Sequence, residues 1–252
     1  MTSSLRFYIG GIAFFLDSSF AEAAREWRGL GPFAQNGSPP DFSVVLKNGP
    51  FQPEKFRYRL LPDISLAIEE SKRNPSTLTL TLGCARPIPV GVLLKLGAAV
   101  AVPRVGGLFF HGAALRSSDG KQILLIGPSG SGKSTVSEEW LRQGGECGSD
   151  EAVMVRPGKD GWLVFPTPFW GRLEPRDPET VAGRLLQRVF LLKGKGLPDA
   201  ITCVFEADPA GNVASFHTLS KFVKSYKFVS LPRKRVIIDR VNLIREQLVS
   251  SG

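Results

Sequence analysis

Four positions in the stretch LLIGPSGSGKST, namely Gly127, Gly132, Lys133 and Ser134, fall at the spacing G-x-x-x-x-G-K-[ST]. These residue types in this order describe a site for phosphate. Glycines let the main chain turn tightly so that successive N–H groups point into one concavity, and the following helix adds its own unsatisfied N–H groups. The contacting segment would be Gly127, Pro128, Ser129, Gly130, Ser131, Gly132, Lys133, Ser134 and Thr135. Lys133 would reach the β and γ phosphates as a mobile point charge. The Ser134 hydroxyl would ligate magnesium, which keeps most of its waters. ATP and Mg2+ are therefore the expected cofactors, with Thr135 a further hydroxyl beside Ser134.

Phosphoryl transfer also needs a carboxylate for the metal or for the attacking hydroxyl. Asp150 and Glu151 stand sixteen and seventeen residues after Ser134, just ahead of the apolar run Ala152-Val153-Met154-Val155. A short helix with an immediate return would bring them beside the phosphates. One acid could then sit near the magnesium and one accept a proton from an incoming hydroxyl. The competing reading is a solvated turn that happens to be acidic. His111, one of two histidines, precedes the loop within LFFHGAAL. It reads either as a satisfied core residue or, if a hairpin sets its strand beside the loop strand, as the partner of an acid or a phosphate. The catalytic candidates are thus Lys133, Asp150, Glu151 and His111, and the metal candidates Ser134 and Asp150.

A strand, a loop and a helix in that order must position these groups. Residues 122–126 (QILLI) suit a central strand, and residues 133–142 a helix burying Val136, Trp140 and Leu141 and stopped by Gly144-Gly145. Upstream, residues 108–116 read as one strand, with Ser117-Ser118-Asp119-Gly120 as a hairpin turn. Residues 90–102 read as a buried helix ended by Pro103 and Gly106-Gly107. Downstream, residues 152–155 and 162–165 predict a hairpin, TPFWGRLEPRDP a loop, and residues 189–192 and 201–206 strands. Helices are expected in the last forty residues, the final one (235–248) carrying Val236, Val241, Ile244 and Leu248 on one stripe. The first part offers β-like runs at 6–16, 42–46, 56–61 and 76–82 between Gly, Pro, Asn and Asp clusters. The expected fold class is α/β (α+β): a mixed β-sheet with flanking helices over residues 86–252 and a β-rich N-terminal part over residues 1–85.

Composition narrows the function classes. The 252 residues are 42% hydrophobic and 22% charged, which suits a globular chain with a full core. No apolar run reaches the roughly 18 residues of a membrane-spanning helix. The N-terminus lacks a convincing cleavage site, so a cytoplasmic location is expected. Cys84, Cys147 and Cys203 are too few and too scattered for a disulfide framework or a zinc site with paired ligands. Lys and Arg number 32 against 23 acids, a net charge of +9. From Arg184 onward twelve basic residues face five acidic ones. That surplus reads as a solvated face or as a docking surface for an acidic acceptor. Nucleic acid is disfavoured, because no recognition motif accompanies the charge.

From His111 to Val155 the order and spacing resemble the catalytic core of the HPr kinase/phosphorylase family, a P-loop fold related to phosphoenolpyruvate carboxykinases. His111-Gly112, the turn at Asp119-Gly120, the strand to Ile126, GPSGSGKS, the helix to Gln143, Gly144 and the acids Asp150-Glu151 follow the family's sequence of features. The resemblance implies that the loop binds ATP and that Ser134 with Asp150 holds magnesium. It also implies that Asp150, supported by His111 and Glu151, activates the acceptor hydroxyl. The chain departs from the family in having Glu151 where a second Asp is usual, and Thr135 where a Glu follows the Lys-Ser. Its segment Pro168-Phe169-Trp170-Gly171-Arg172 resembles a loop in the short HPr-kinase-like proteins of peptide-modification clusters. Arg172 could supply charge to a transferring phosphoryl group, or the segment could be a packing corner.

The implied activity is ATP-dependent phosphorylation of a hydroxyl, Ser foremost, on a protein or peptide acceptor, with assembly into a homo-oligomer possible. The alternatives are a small-molecule kinase and a non-catalytic nucleotide-responsive binding protein.

Overall fold

The structure, a computed structural model, describes residues 5–17, 20, 30–34, 40–51, 64–85, 89–173, 182–192, 209–226, 228–231 and 237–249. These residues form a mixed α/β protein with two mixed sheets and four helices.

The first sheet has the order β1-β2-β3-β5-β4. Where the sequence suggested one run over residues 6–16, Gly10 and Gly11 take φ of 53° and 85°, and the chain folds back. The result is an antiparallel hairpin of β1 (Leu5–Ile9) and β2 (Ile12–Leu16). β3 (Phe42–Gly49) runs parallel to β2, β5 (Thr77–Cys84) parallel to β3, and β4 (Ile64–Glu70) antiparallel to β5. β4 adds a strand to those expected, although Ile64, Leu66 and Ile68 alternate with Ser65, Ala67 and Glu69 as a half-buried strand requires. The expected run at 56–61 lies outside the described residues.

α1 (Val90–Ala101) covers this sheet, burying Leu93, Leu94, Leu96 and Val100. Gly97 lets helix and sheet approach closely, since a Cβ there would stand 3.0 Å from the Leu46 side chain. The helix ends where Pro103 and Gly106-Gly107 suggested, passing into a 3-10 turn (Val102–Val105) that Gly106 closes at φ 69°. The same core takes in Phe109, Ala152, Met154 and Phe169, so it runs continuously across residue 85.

The second sheet has the order β6-β10-β11-β12-β8-β7-β9, with β6 at Leu108–Phe110, β9 at Glu146–Ser149 and β13 also on β12. β8 (Gln122–Ile126) lies between β7 (Gly112–Arg116) and the long strand β12 (Arg184–Leu192), antiparallel to the first and parallel to the second. Its side chains alternate between two cores. Ile123 and Leu125 pack with Val136 and Trp140 of α2 (Lys133–Arg142) and Val241 and Ile244 of α4 (Ile237–Val249). Leu124 and Ile126 face Phe222 of α3 (Pro209–Ser225) on the other side. The expected stripe on the last helix is present in Val241, Ile244 and Leu248, all buried; Val236 lies outside the described residues.

β10 (Val153–Pro157) and β11 (Trp162–Phe165) form the expected hairpin. The strand near 189–192 extends back to Arg184, and β13 (Phe228–Leu231) stands between the two C-terminal helices. Residues 201–206 lie outside the described residues. No helix among the described residues is long and apolar enough to cross a membrane. Cys84 and Cys147 are free thiols, burial raising the pKa of Cys84; Cys203 is not described.

Candidate functional site

The expected strand over residues 108–116 is broken at its sixth-from-last position, and the break builds the site. β6 (Leu108–Phe110) pairs with β10, whereas β7 pairs with β8 and β9 (Glu146–Ser149), at the opposite end of the strand order. One residue, His111, makes that crossing, so the sheet curls until its two ends meet. Asp150, Glu151 and Ala152 make the matching crossing from β9 to β10. The two crossings are stitched together: the Gly112 N–H donates to the Glu151 carbonyl at 3.3 Å, and His111 Nδ1 lies 2.9 Å from the same oxygen. A carbonyl only accepts, so this contact places a proton on Nδ1. Gly112 pairs with Ile126, which sets His111 across from Gly127, the first residue of the glycine-rich loop.

That loop joins β8 to α2 without an insertion, and the helix begins at Lys133. Gly130 and Gly132 take φ of 72° and 95°, conformations that glycine adopts without steric cost. A Cβ on Gly127 would stand 2.7 Å from Ser131 Oγ and 2.8 Å from the Leu192 carbonyl, so the close approach there requires glycine. Lys133 is buried and folds back, its Nζ donating to the carbonyls of Gly127 at 2.8 Å and Pro128 at 3.1 Å. The ammonium thus lies inside the turn of the loop. Ser131 Oγ is buried with no hydrogen-bond partner among the described residues.

Asp150 is 1% exposed, and its carboxylate is engaged by main chain. Oδ1 accepts the Gly171 N–H at 2.8 Å, and Oδ2 accepts those of Arg172 at 3.2 Å and Leu173 at 3.3 Å. Glu151 instead pairs with Lys95 of α1 at 3.0 Å. Gly171 lies against both acids, since a Cβ on it would stand 2.9 Å from Glu151 Oε2 and 3.4 Å from Asp150 Oδ2. On either side of this contact, Phe169 is buried edge-on to Phe109, with ring centroids 5.7 Å apart, and Trp170 packs beside the α2/α4 core. The segment 168–172 is therefore a packing corner and a cover over the acids at once.

A cleft of about 1140 Å³ opens beside the loop, lined by Ser134, Thr135, Glu138, Glu139, Leu141 and Arg142 of α2, Arg172 and Leu173 of the Asp150-held segment, and Ile237 and Ile238 of α4. Arg240 of α4, 3% exposed, donates to the Ser131 carbonyl at 3.4 Å and lies against Gly132. The structure therefore brings Ser134, Thr135 and Arg172 to one cleft next to the end of the glycine-rich loop, and His111, Asp150 and Glu151 to a sheet corner. The Glu151 carboxylate faces Lys95 and the His111 ring faces the Glu151 main chain.

Sequence reading did not single out Lys95 or Arg240. Lys95 had a signal, as the lone charge in an otherwise apolar helix. Arg240 had none, because it is one of several cations in a basic region. The fold and site define a mixed α/β protein with a glycine-rich loop between a central strand and a helix. Compared with known proteins, the chain matches no family model and no curated sequence.

Proposed function

We propose that this protein is an ATP-dependent, magnesium-assisted phosphotransferase of the HPr-kinase-like type, acting on a hydroxyl, Ser foremost, of a protein or peptide acceptor. The observation that carries the reading is the link from Asp150 to the loop. Its carboxylate holds residues 171–173, and Arg172 and Leu173 of that segment share a cleft with Ser134 and Thr135. A buried hydroxyl lacking a partner, the inward lysine and the start of a ten-residue helix together favour an anion at the loop.

ATP would be held through main-chain N–H groups of the loop, such as those of Gly130 and Gly132, and by Lys133. On transfer, the acceptor oxygen bonds to the γ-phosphorus, the bond from that phosphorus to the bridging oxygen breaks, and ADP leaves. The acceptor proton passes to a carboxylate, which the proposal assigns to Asp150. A carboxylate offers about four acceptor positions, and the three main-chain bonds leave one, on Oδ1. Arg172 would stabilise charge on the transferring group. The Ser134 hydroxyl is an oxygen donor that suits Mg2+ completed by phosphate and water; the one position left on Asp150 Oδ1 would serve either the ion or the acceptor proton, not both at once. Bound there, the ion would neutralise phosphate charge.

Purified protein incubated with magnesium ATP and candidate acceptors is expected to add one phosphate, read by intact mass. Lys133→Ala and Asp150→Ala are each expected to abolish transfer, with Asp150→Ala retaining nucleotide binding. Full transfer by either variant overturns the proposal. One observation favours a second reading, a nucleotide-responsive binding protein: Asp150 is occupied as a loop anchor. Nucleotide binding without turnover in the presence of the true partner would select it.

A further inference from the structure

We infer that the part of this cleft beyond Ser134, Thr135 and Arg172, between α2, Leu173 and the first turn of α4, is the nucleoside subsite, taking the base and sugar of the nucleotide whose phosphates lie on the glycine-rich loop. The inference rests on the nucleotide-binding part of the reading above. Three observations carry it.

First, the cleft is continuous with the phosphate end, since Ser134 and Thr135, the first hydroxyls of α2, form part of its wall. A ligand anchored by its phosphates at the loop therefore has its remaining part beside this space. The volume of about 1140 Å³ lies just above the roughly 300–1,000 Å³ of small-ligand sites, so it has room for a nucleotide.

Second, the chemistry of the wall changes with distance from the loop. Beyond the hydroxyls come Leu173, Ile237 and Ile238, an apolar surface on which a flat base can lie, with Ile238 half exposed. Along α2, one turn past Ser134, stands Glu138, and a turn further Leu141 and Arg142 complete this side. The neighbouring Glu139 is buried and engaged by Gln143 Nε2 at 2.7 Å and by Arg142. Glu138 is the exposed carboxylate of the two, placed to accept hydrogen bonds from an exocyclic amine or sugar hydroxyls.

Third, the acids that an acceptor hydroxyl must approach are not among the described residues lining this cleft. Asp150 lies behind the main chain of residues 171–173, and His111 and Glu151 lie at the sheet corner. An acceptor reaches that corner from another side, which leaves the cleft to the nucleoside.

The test compares a ligand that has a nucleoside with one that does not. Binding of ATP and of inorganic tripolyphosphate, each with magnesium, is measured calorimetrically for the wild type, Ile238→Ser and Glu138→Gln. Ile238 is exposed enough for its substitution to leave the core intact, and thermal unfolding checks this. Expected for Ile238→Ser is about a tenfold loss of ATP affinity with tripolyphosphate binding unchanged, and a smaller loss of the same pattern for Glu138→Gln. If the wild type binds both ligands and the variants keep wild-type ATP affinity, the nucleoside lies elsewhere and the inference is overturned. Equal losses for both ligands overturn it as well, since they place the effect at the phosphates. A wild type that binds neither ligand overturns the nucleotide-binding reading itself, a failure visible without any variant.

Discussion

Asp150 Oδ1 accepts the main-chain N–H of Gly171 at 2.8 Å, while the other oxygen takes the N–H groups of the next two residues. One acid side chain thereby fixes a segment twenty-one residues further along the chain. That segment carries Arg172 to the cleft that Ser134 and Thr135 also line. Loss of the acid would therefore affect the placement of Arg172 as well as any chemistry at the carboxylate.

Asp150→Asn tests the anchoring. Asn retains one acceptor oxygen but turns an amide N–H2 toward donors that had faced a carboxylate oxygen. Losing charge-assisted bonds at this buried position is expected to cost about 2–3 kcal/mol. Tm should fall by roughly 4–12 °C for a chain of this size, read by thermal unfolding. An unchanged Tm would show that the carboxylate does not hold the segment.

Gly171→Ala tests the contact between the segment and the acid pair. The added methyl would meet Glu151 Oε2 at 2.9 Å, an atom at the mobile end of a side chain, so the fold should persist. Glu151 must swing, disturbing its pair with Lys95. Transfer is expected to fall about tenfold, with ATP affinity within about twofold of wild type. Kinetics with calorimetric binding distinguishes this from a general loss of structure.

Phe169→Ala tests the packing on which the segment rests. Phe169 is 1% exposed and lies edge-on to Phe109. Truncating a fully buried Phe is expected to cost about 3–5 kcal/mol, measured by denaturant unfolding. A cost below about 1 kcal/mol would show that the ring adds little to the core.

Arg240→Gln tests the tie between α4 and the glycine-rich loop. The guanidinium reaches the Ser131 carbonyl and lies against Gly132, so its loss should loosen the loop. Affinity for ATP and for tripolyphosphate is expected to fall together by about tenfold, without rescue by Arg240→Lys, whose compact ammonium cannot reproduce the planar fork. This joint loss contrasts with the ATP-selective loss expected of Ile238→Ser. Full rescue by Lys would mean that charge alone matters at this position.

Much of the local structure was legible because it follows from nearest neighbours. The apolar residues after Gln122, the glycines at 130 and 132 and the helix-forming run to Arg142 specify strand, loop and helix through backbone sterics and side-chain periodicity. The hairpin of β10 and β11 followed from the same kind of signal. His111 shows the boundary of such reading. Residues 108–116 have continuous strand character, yet the strand breaks at His111 because its two halves pair with partners at opposite ends of one curled sheet. The immediate return expected after α2 is likewise a strand, β9, recruited by pairing with β7.

By itself, then, the sequence determined a glycine-rich loop between strand and helix and the acids that follow it, since spacing along the chain specifies both. Tertiary structure decided which groups meet: Asp150 with residues 171–173, Glu151 with Lys95, and Arg240 with Ser131 and Gly132. Those contacts join residues 21, 56 and 109 positions apart. They depend on how the sheet curls and on which helix faces the core packs against, and local spacing does not encode that geometry.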